Sequence, residues 1–152
     1  MAVDIKITAD YFKDHLSKQD IPVTCKSMEE IDRFEKNSAL LLPDDFRIFY
    51  SVLNGMEFLY PNDIDKEGFL FYPLEAIISA ADEFDSKTIP EKNIIIFAEY
   101  MHKSWWYGID VADNKNYVIG IIPHKDSFQP ITTSLSEFIE FYIADAPCLY
   151  EY

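Results

Sequence analysis

The sequence predicts an α+β fold, an antiparallel sheet of about four or more strands flanked by helices, in one domain over residues 1–152. Three observations lead there. The clearest helical periodicity lies in the stretch before Gly55 and the stretch after Ser134. Between Ile94 and Ile122 three apolar runs are separated by short polar connections. Helices followed by consecutive strands and a closing helix suit helices packed on an antiparallel sheet, not the strand–helix alternation of a parallel one.

Thr8 is placed to cap a first short helix carrying Tyr11, Phe12, His15 and Leu16 on one face. Ser27 and Glu30 form a capping box opening a second helix, with Met28, Ile31 and Phe34 inward and Glu29, Asp32 and Lys36 outward. The third helix has Pro43 at its first position, Asp44 and Asp45 at the positive end of its dipole, and Phe46, Phe49, Tyr50 and Leu53 at i, i+3, i+4, i+7. Asn54-Gly55 supplies a left-handed stop.

The stretch from Phe58 to Gly68 is acidic and rich in turn residues, and Phe69 to Tyr72 reads as a strand. Leu74, Ile77, Ile78 and Ala81 suggest a short helix after Pro73, ending at Asp82, Glu83 and Asp85. Strands are expected over Ile94 to Ala98, Trp105 to Val111 and Tyr117 to Ile122. Residues 113–116 (Asp-Asn-Lys-Asn) form the last hairpin, because Asn and Asp tolerate left-handed backbone angles. A final helix begins at Ser134 with Glu137 completing a second capping box, and Leu135, Phe138, Ile139, Tyr142 and Ile143 form its apolar stripe.

At 152 residues, 49% of them hydrophobic, the chain can bury a core without disulfides or metal. Thirteen Lys and Arg stand against 27 Asp and Glu, a formal charge of -14. That field repels nucleic-acid phosphates and anionic lipid, so neither nucleic acid nor membrane is an expected partner, and it attracts basic proteins, the alternative being that the acidity only keeps the protein soluble. The two cysteines, Cys25 and Cys148, are far apart and read as reduced thiols. The first residues lack the basic-then-apolar pattern of a signal peptide, and no apolar run is long enough to cross a bilayer, so a cytoplasmic location is expected.

No reactive constellation stands out. His15, His102 and His124 share no metal-binding spacing, and His15 beside Leu16 reads as a packing residue. Ser104 lacks a nucleophile elbow, and four glycines leave no phosphate loop. Asp63, Asp65 and Glu67 alternate like calcium ligands but lack the glycine at position six and the glutamate at twelve. The chain is therefore expected to be a non-enzyme without cofactor or metal. The candidate partner-binding residues are Tyr60, Asp63, Asp65 and Glu67; Asp82, Glu83 and Asp85; and Tyr100 with Trp105. For the acidic clusters the alternative is a solvated face. Of Trp105 and Trp106, adjacent on a strand, one is expected in the core and the other exposed beside Tyr100, the alternative being that both are covered.

Residues 41–49 (Leu-Leu-Pro-Asp-Asp-Phe-Arg-Ile-Phe) with Leu53-Asn54-Gly55 resemble the signature helix of the SMI1/KNR4 (SUKH) family. Phe97 in the run 95–98, Asp110 in 106–111 and Phe138 in 134–139 fall in the family's order, after an acidic helix at 27–37, and the resemblance covers roughly 24 to 144. Leu42, Pro43, Phe46, Phe49, Asn54, Gly55, Phe97, Asp110 and Phe138 are thus its structural positions. Met56 stands where the family often has a second glycine, and residues 99–104 replace a Gly/Asp-rich turn between two strands.

The resemblance implies a binding role. Bacterial members are understood as immunity proteins that neutralise toxins, often nucleases, encoded beside them, and fungal relatives as regulatory scaffolds connected with cell-wall synthesis. The first gives an acidic inhibitor for a basic toxin domain, either as a heterodimer or with a homodimer of the free protein. An enzyme of unrecognised type remains the third reading. Phe49→Ala is expected to lower stability by about 3–5 kcal/mol through an unfilled core cavity; a melting temperature that barely moves would show that the third helix is misread.

Overall fold

The structure, a computed structural model, describes residues 5–18, 25–38, 40–55, 69–83, 94–100, 105–123, 128–144 and 146–149. Three helices come first: α1 (Ile5–Lys18), α2 (Met28–Ser38) and α3 (Asp44–Val52). Strand β1 (Phe69–Phe71), a 3-10 turn (Leu74–Ala76), β2 (Ile78–Ser79) and one turn of helix, α4 (Ala80–Glu83), follow. The strands β3 (Ile94–Tyr100), β4 (Trp105–Val111), β5 (Tyr117–Ile122) and β6 (Gln129–Thr132) lead to α5 (Leu135–Ile143) and a 3-10 turn, Pro147–Leu149. The strand order is β1-β3-β4-β5-β6, with β2 also on β3, and every pairing is antiparallel. This is the α+β architecture expected.

Local chemistry explains most boundaries. The Ser27–Glu30 box closes both ways: Glu30 N–H donates to Ser27 Oγ, and Ser27 N–H donates to Glu30 Oε1. Those bonds, the backbone one foremost, hold the Glu30 carboxyl below its usual range. Asp113 clasps its turn by accepting from the N–H groups of Lys115 and Asn116, both at 2.8 Å. The box before α5 is rerouted. Ser134 Oγ accepts from Glu137 N–H, but the Ser134 N–H goes to Thr132 Oγ1, which donates to Glu137 Oε1.

Several expectations need correction. Helix α1 begins before Thr8, which is buried inside it; the inward stripe is Ile5, Thr8, Ala9, Phe12 and Leu16, and Tyr11 points out. On α2 Met28 is 46% exposed, and Ile31 makes the burial. Pro43 caps α3 instead of opening it, accepting from Phe46 and Arg47 N–H. The helix ends on an extended Leu53, and the positive φ, +57°, falls at Gly55. There a Cβ would stand 2.3 Å from the Tyr72 carbonyl oxygen, so glycine is needed for close approach to β1 as well as for its backbone angle. Residues 77–83 are not one helix, because Ile78 and Ser79 pair with Ile96 and Ile95. Strand β6 was not expected.

The core lies between the sheet and α1, α3 and α5. Phe12, Phe49, Phe71, Phe97, Phe138 and Tyr142 form one aromatic network with ring centroids 4.7–6.3 Å apart. A bulge between Ile96 and Ala98 puts Phe97 and Ala98 together on the helix side, so Phe97 reaches Phe46 and Phe138. On the opposite side the facing pair Gly108 and Gly120 leaves room for Ile94, Ile122 and Phe128. Arg47 joins α3 to α2 through Asp32 and Glu35, whose other oxygen accepts the Leu42 N–H at 2.7 Å.

Gly55→Ala is expected to destabilise by more than about 1 kcal/mol, from the strained angle and the clash together, read by chemical denaturation; unchanged stability would place that loop elsewhere. Tyr50, Tyr72, Tyr107 and Tyr117 have pKa values raised well above the ordinary phenol value, burial being the largest cause in each. A raised folded value means their contribution is intact below the unfolded pKa of about 10 and is lost as pH rises beyond it. Tyrosinate absorbance should therefore rise in two steps, the second coinciding with loss of helical circular dichroism. All ten tyrosines titrating together with the fold intact would contradict the burial.

Candidate partner-binding surface

Strand β3 runs between two surface regions. At ~3.3 Å per residue, Ile94 and Tyr100 at its ends are ~20 Å apart. The Tyr100 end is aromatic. Tyr100 faces Trp105 across the β3–β4 pairing, their rings stacked with centroids 4.6 Å apart and planes 19° apart. Trp105 Nε1 donates to the Tyr107 hydroxyl at 2.9 Å, and that hydroxyl donates to the Leu149 carbonyl, so strand alternation and a line of polar contacts fix the platform against the C-terminal turn. Trp106 points to the opposite side of the sheet. Both tryptophans are half-buried, so neither the core nor the exposed assignment holds in full.

On the side of Trp106, Glu99 is 6% exposed and accepts from the Tyr72 hydroxyl at 3.0 Å. This buried carboxylate, with Glu83 acting on the same phenol, was missed in the sequence. Its place in an apolar strand, Ile-Ile-Ile-Phe-Ala-Glu-Tyr, was the available signal.

The Ile94 end holds a cleft of about 290 Å³. Leu40, Leu41 and Leu42, from the α2–α3 connection, meet Ile94 and Ile95 at the start of β3 and Val111 at the end of β4. Ser79, Asp113 and Asn114 add polar groups. The connection is held close to the β4–β5 turn because Asp44 N–H donates to the Asn114 carbonyl at 2.8 Å. Glu35 meanwhile holds Leu42 inward through its N–H, and Leu41 is left 71% exposed. The Leu40-Leu41-Leu42 run hinted at a leucine without a core role, but the cleft joins segments distant in sequence.

The predicted site residues do not converge. Asp82 is exposed and Glu83 half-buried in α4, next to the cleft through Ser79, whose Oγ accepts from Asp82 N–H. Tyr100 and Trp105 lie at the far end of β3. Tyr60, Asp63, Asp65, Glu67 and Asp85 lie outside the described residues, as do His102, Ser104 and His124. His15 packs edge-on to Tyr142, a packing role as expected. Among the described residues no group of three or more His, Cys, Asp or Glu could hold a metal, and no helix is long and apolar enough to cross a membrane.

The signature positions are architectural. Leu42, Phe46, Phe49, Phe97 and Phe138 are core, and Pro43 caps α3. Asn54 Oδ1 accepts the Leu74 N–H at 2.7 Å, clamping the end of α3 to the turn after β1. Asp110 is half-buried opposite Ile94 and Val118. No curated protein and no solved structure matches the chain. A family model described as SMI1 / KNR4 family (SUKH-1) matches residues 27–140, from the Ser27 cap to α5. With the signature helix, its Asn-Gly clamp and the meander all in place, the chain belongs to the SMI1/KNR4 family.

Proposed function

We propose that this protein binds and neutralises a basic toxin, as an immunity protein, and turns nothing over. The supporting observation is its formal charge of -14 on a fold of this family. Charge of that size draws a basic protein in by long-range attraction and opposes phosphate polymers. A nuclease must line its cleft with cations to hold phosphate, and an acidic protein can occupy that cleft in the phosphates' place. In the described residues Asp14, Asp32, Glu35, Glu30 and Glu75 are tied up in ion pairs, while Asp10, Glu29, Asp82 and Glu140 lie exposed.

The test is co-purification with the protein encoded beside this chain's gene, at low and high salt. A stable complex whose association slows as salt rises is expected; no complex at either salt would refute the reading. Reversing charge at Asp82, Glu83 and Asp85 should slow association severalfold and leave the melting temperature in place. An unchanged association rate would remove that patch from the interface.

A further inference from the structure

Resting on the reading that the partner is a basic protein, we propose that the cleft at the Ile94 end of β3 is the docking slot for a partner segment in which a large apolar side chain is flanked by lysine or arginine.

Leu41 carries the apolar half of the argument. Of the four large hydrophobic side chains that stand exposed among the described residues, it is the most exposed, and it lines a concave apolar surface with Leu40, Ile94, Ile95 and Val111. The fold does not use it: Glu35 and the core hold Leu42, and the tie between Asp44 and Asn114 sets the connection's path. Covering this exposed leucine would take apolar surface out of water, a gain that falls to a partner. At about 290 Å³ the cleft falls at the lower edge of the ~300–1,000 Å³ typical of small-molecule pockets, a size for one or two inserted side chains.

Charge selects the occupant. Asp113 lines the cleft, and its carboxyl is held below the usual range, chiefly by the Asn116 side chain and also by the Lys115 and Asn116 N–H groups, so it is ionised at neutral pH. Backbone N–H bonds place Asp82 beside the lining residue Ser79 and Asp44 beside Asn114, and Asp110 stands opposite Ile94 in the β3–β4 register. Among the described residues, the stretches 40–44, 79–83, 94–95 and 110–115 set one cation, Lys115, against these acids. A second copy of this chain, with the same charge of -14, would be repelled. A segment with cations beside its apolar anchor meets both halves of the site.

Two arms test this on the full chain. Amide NMR spectra would be recorded during titration with two synthetic peptides sharing a Leu-Phe-Leu centre, one flanked by Lys and Arg, the other by Glu. The basic peptide should shift resonances at 40–42, 94–95 and 111–114, and the acidic one should leave them alone. Leu41→Ala should weaken the basic peptide about tenfold. Asp113→Asn, which keeps the turn's acceptor, should weaken it and reduce its salt dependence. Absence of shifts there, or equal response to both peptides, overturns the proposal. In the second arm the same variants enter the co-purification. A wild-type complex unaffected by Leu41→Ala and Asp113→Asn sinks the slot and spares the immunity reading. Peptide binding at the slot without any complex does the reverse.

Discussion

The phenol of Tyr117 accepts the Leu135 N–H at 2.7 Å and donates to Asp45 Oδ2 at 2.6 Å, from a buried position on β5. One side chain thereby joins the first turns of α3 and α5 to the start of β5. Helix N-termini leave N–H groups without helical partners, and burying one unpaired costs about 1–3 kcal/mol. The hydroxyl resolves this for α5 while its proton is committed to the Asp45 carboxylate. With its ring edge on Phe46, 5.5 Å between centroids, Tyr117 also sets how closely α3 can approach. The bond from Asp44 to Asn114 then follows one residue away, and with it the path of the α2–α3 connection.

At the other end of α3 the same economy recurs. The Tyr50 hydroxyl donates to the Tyr72 carbonyl, Asn54 holds Leu74, and Gly55 lets two backbones come nearly into contact. The residues that mark the family are thus spent on aligning one helix against one sheet. All but the half-buried Asp110 lie inside, where a partner cannot read them. On the proposed reading, recognition uses positions outside those nine, such as Leu41 and Asp113, and members sharing this scaffold can differ in what they bind.

Sequence reading succeeded where a local rule and the tertiary fold agreed. Helix α3 has a proline, two acids and a clean apolar period; the β4–β5 hairpin has Asp113 and Asn116; α2 has its reciprocal cap. It failed where pairing overrode pattern. Ile77 and Ile78 fit a helix by spacing, yet β3 recruits Ile78 as a strand residue. Strand β6 has four residues and a proline, too short for alternation to register. The stripe of α1 was misphased because Thr8 looks like a cap, while its methyl and hydroxyl lie in the interior. The cleft was beyond reach of any local rule, since its walls come from the α2–α3 connection, β3 and the β4–β5 turn.

The described sheet ends on one side at β6, where Pro130 lacks an amide hydrogen. On the other it ends at β1 and β2, three and two residues long, split by the 3-10 turn. Neither border offers a long row of free main-chain donors for a foreign strand to zip onto. Strand addition, the least selective way for a β-rich protein to acquire company, is therefore discouraged at both borders. Attachment is left to side chains, whose identity can change without disturbing the ladder beneath.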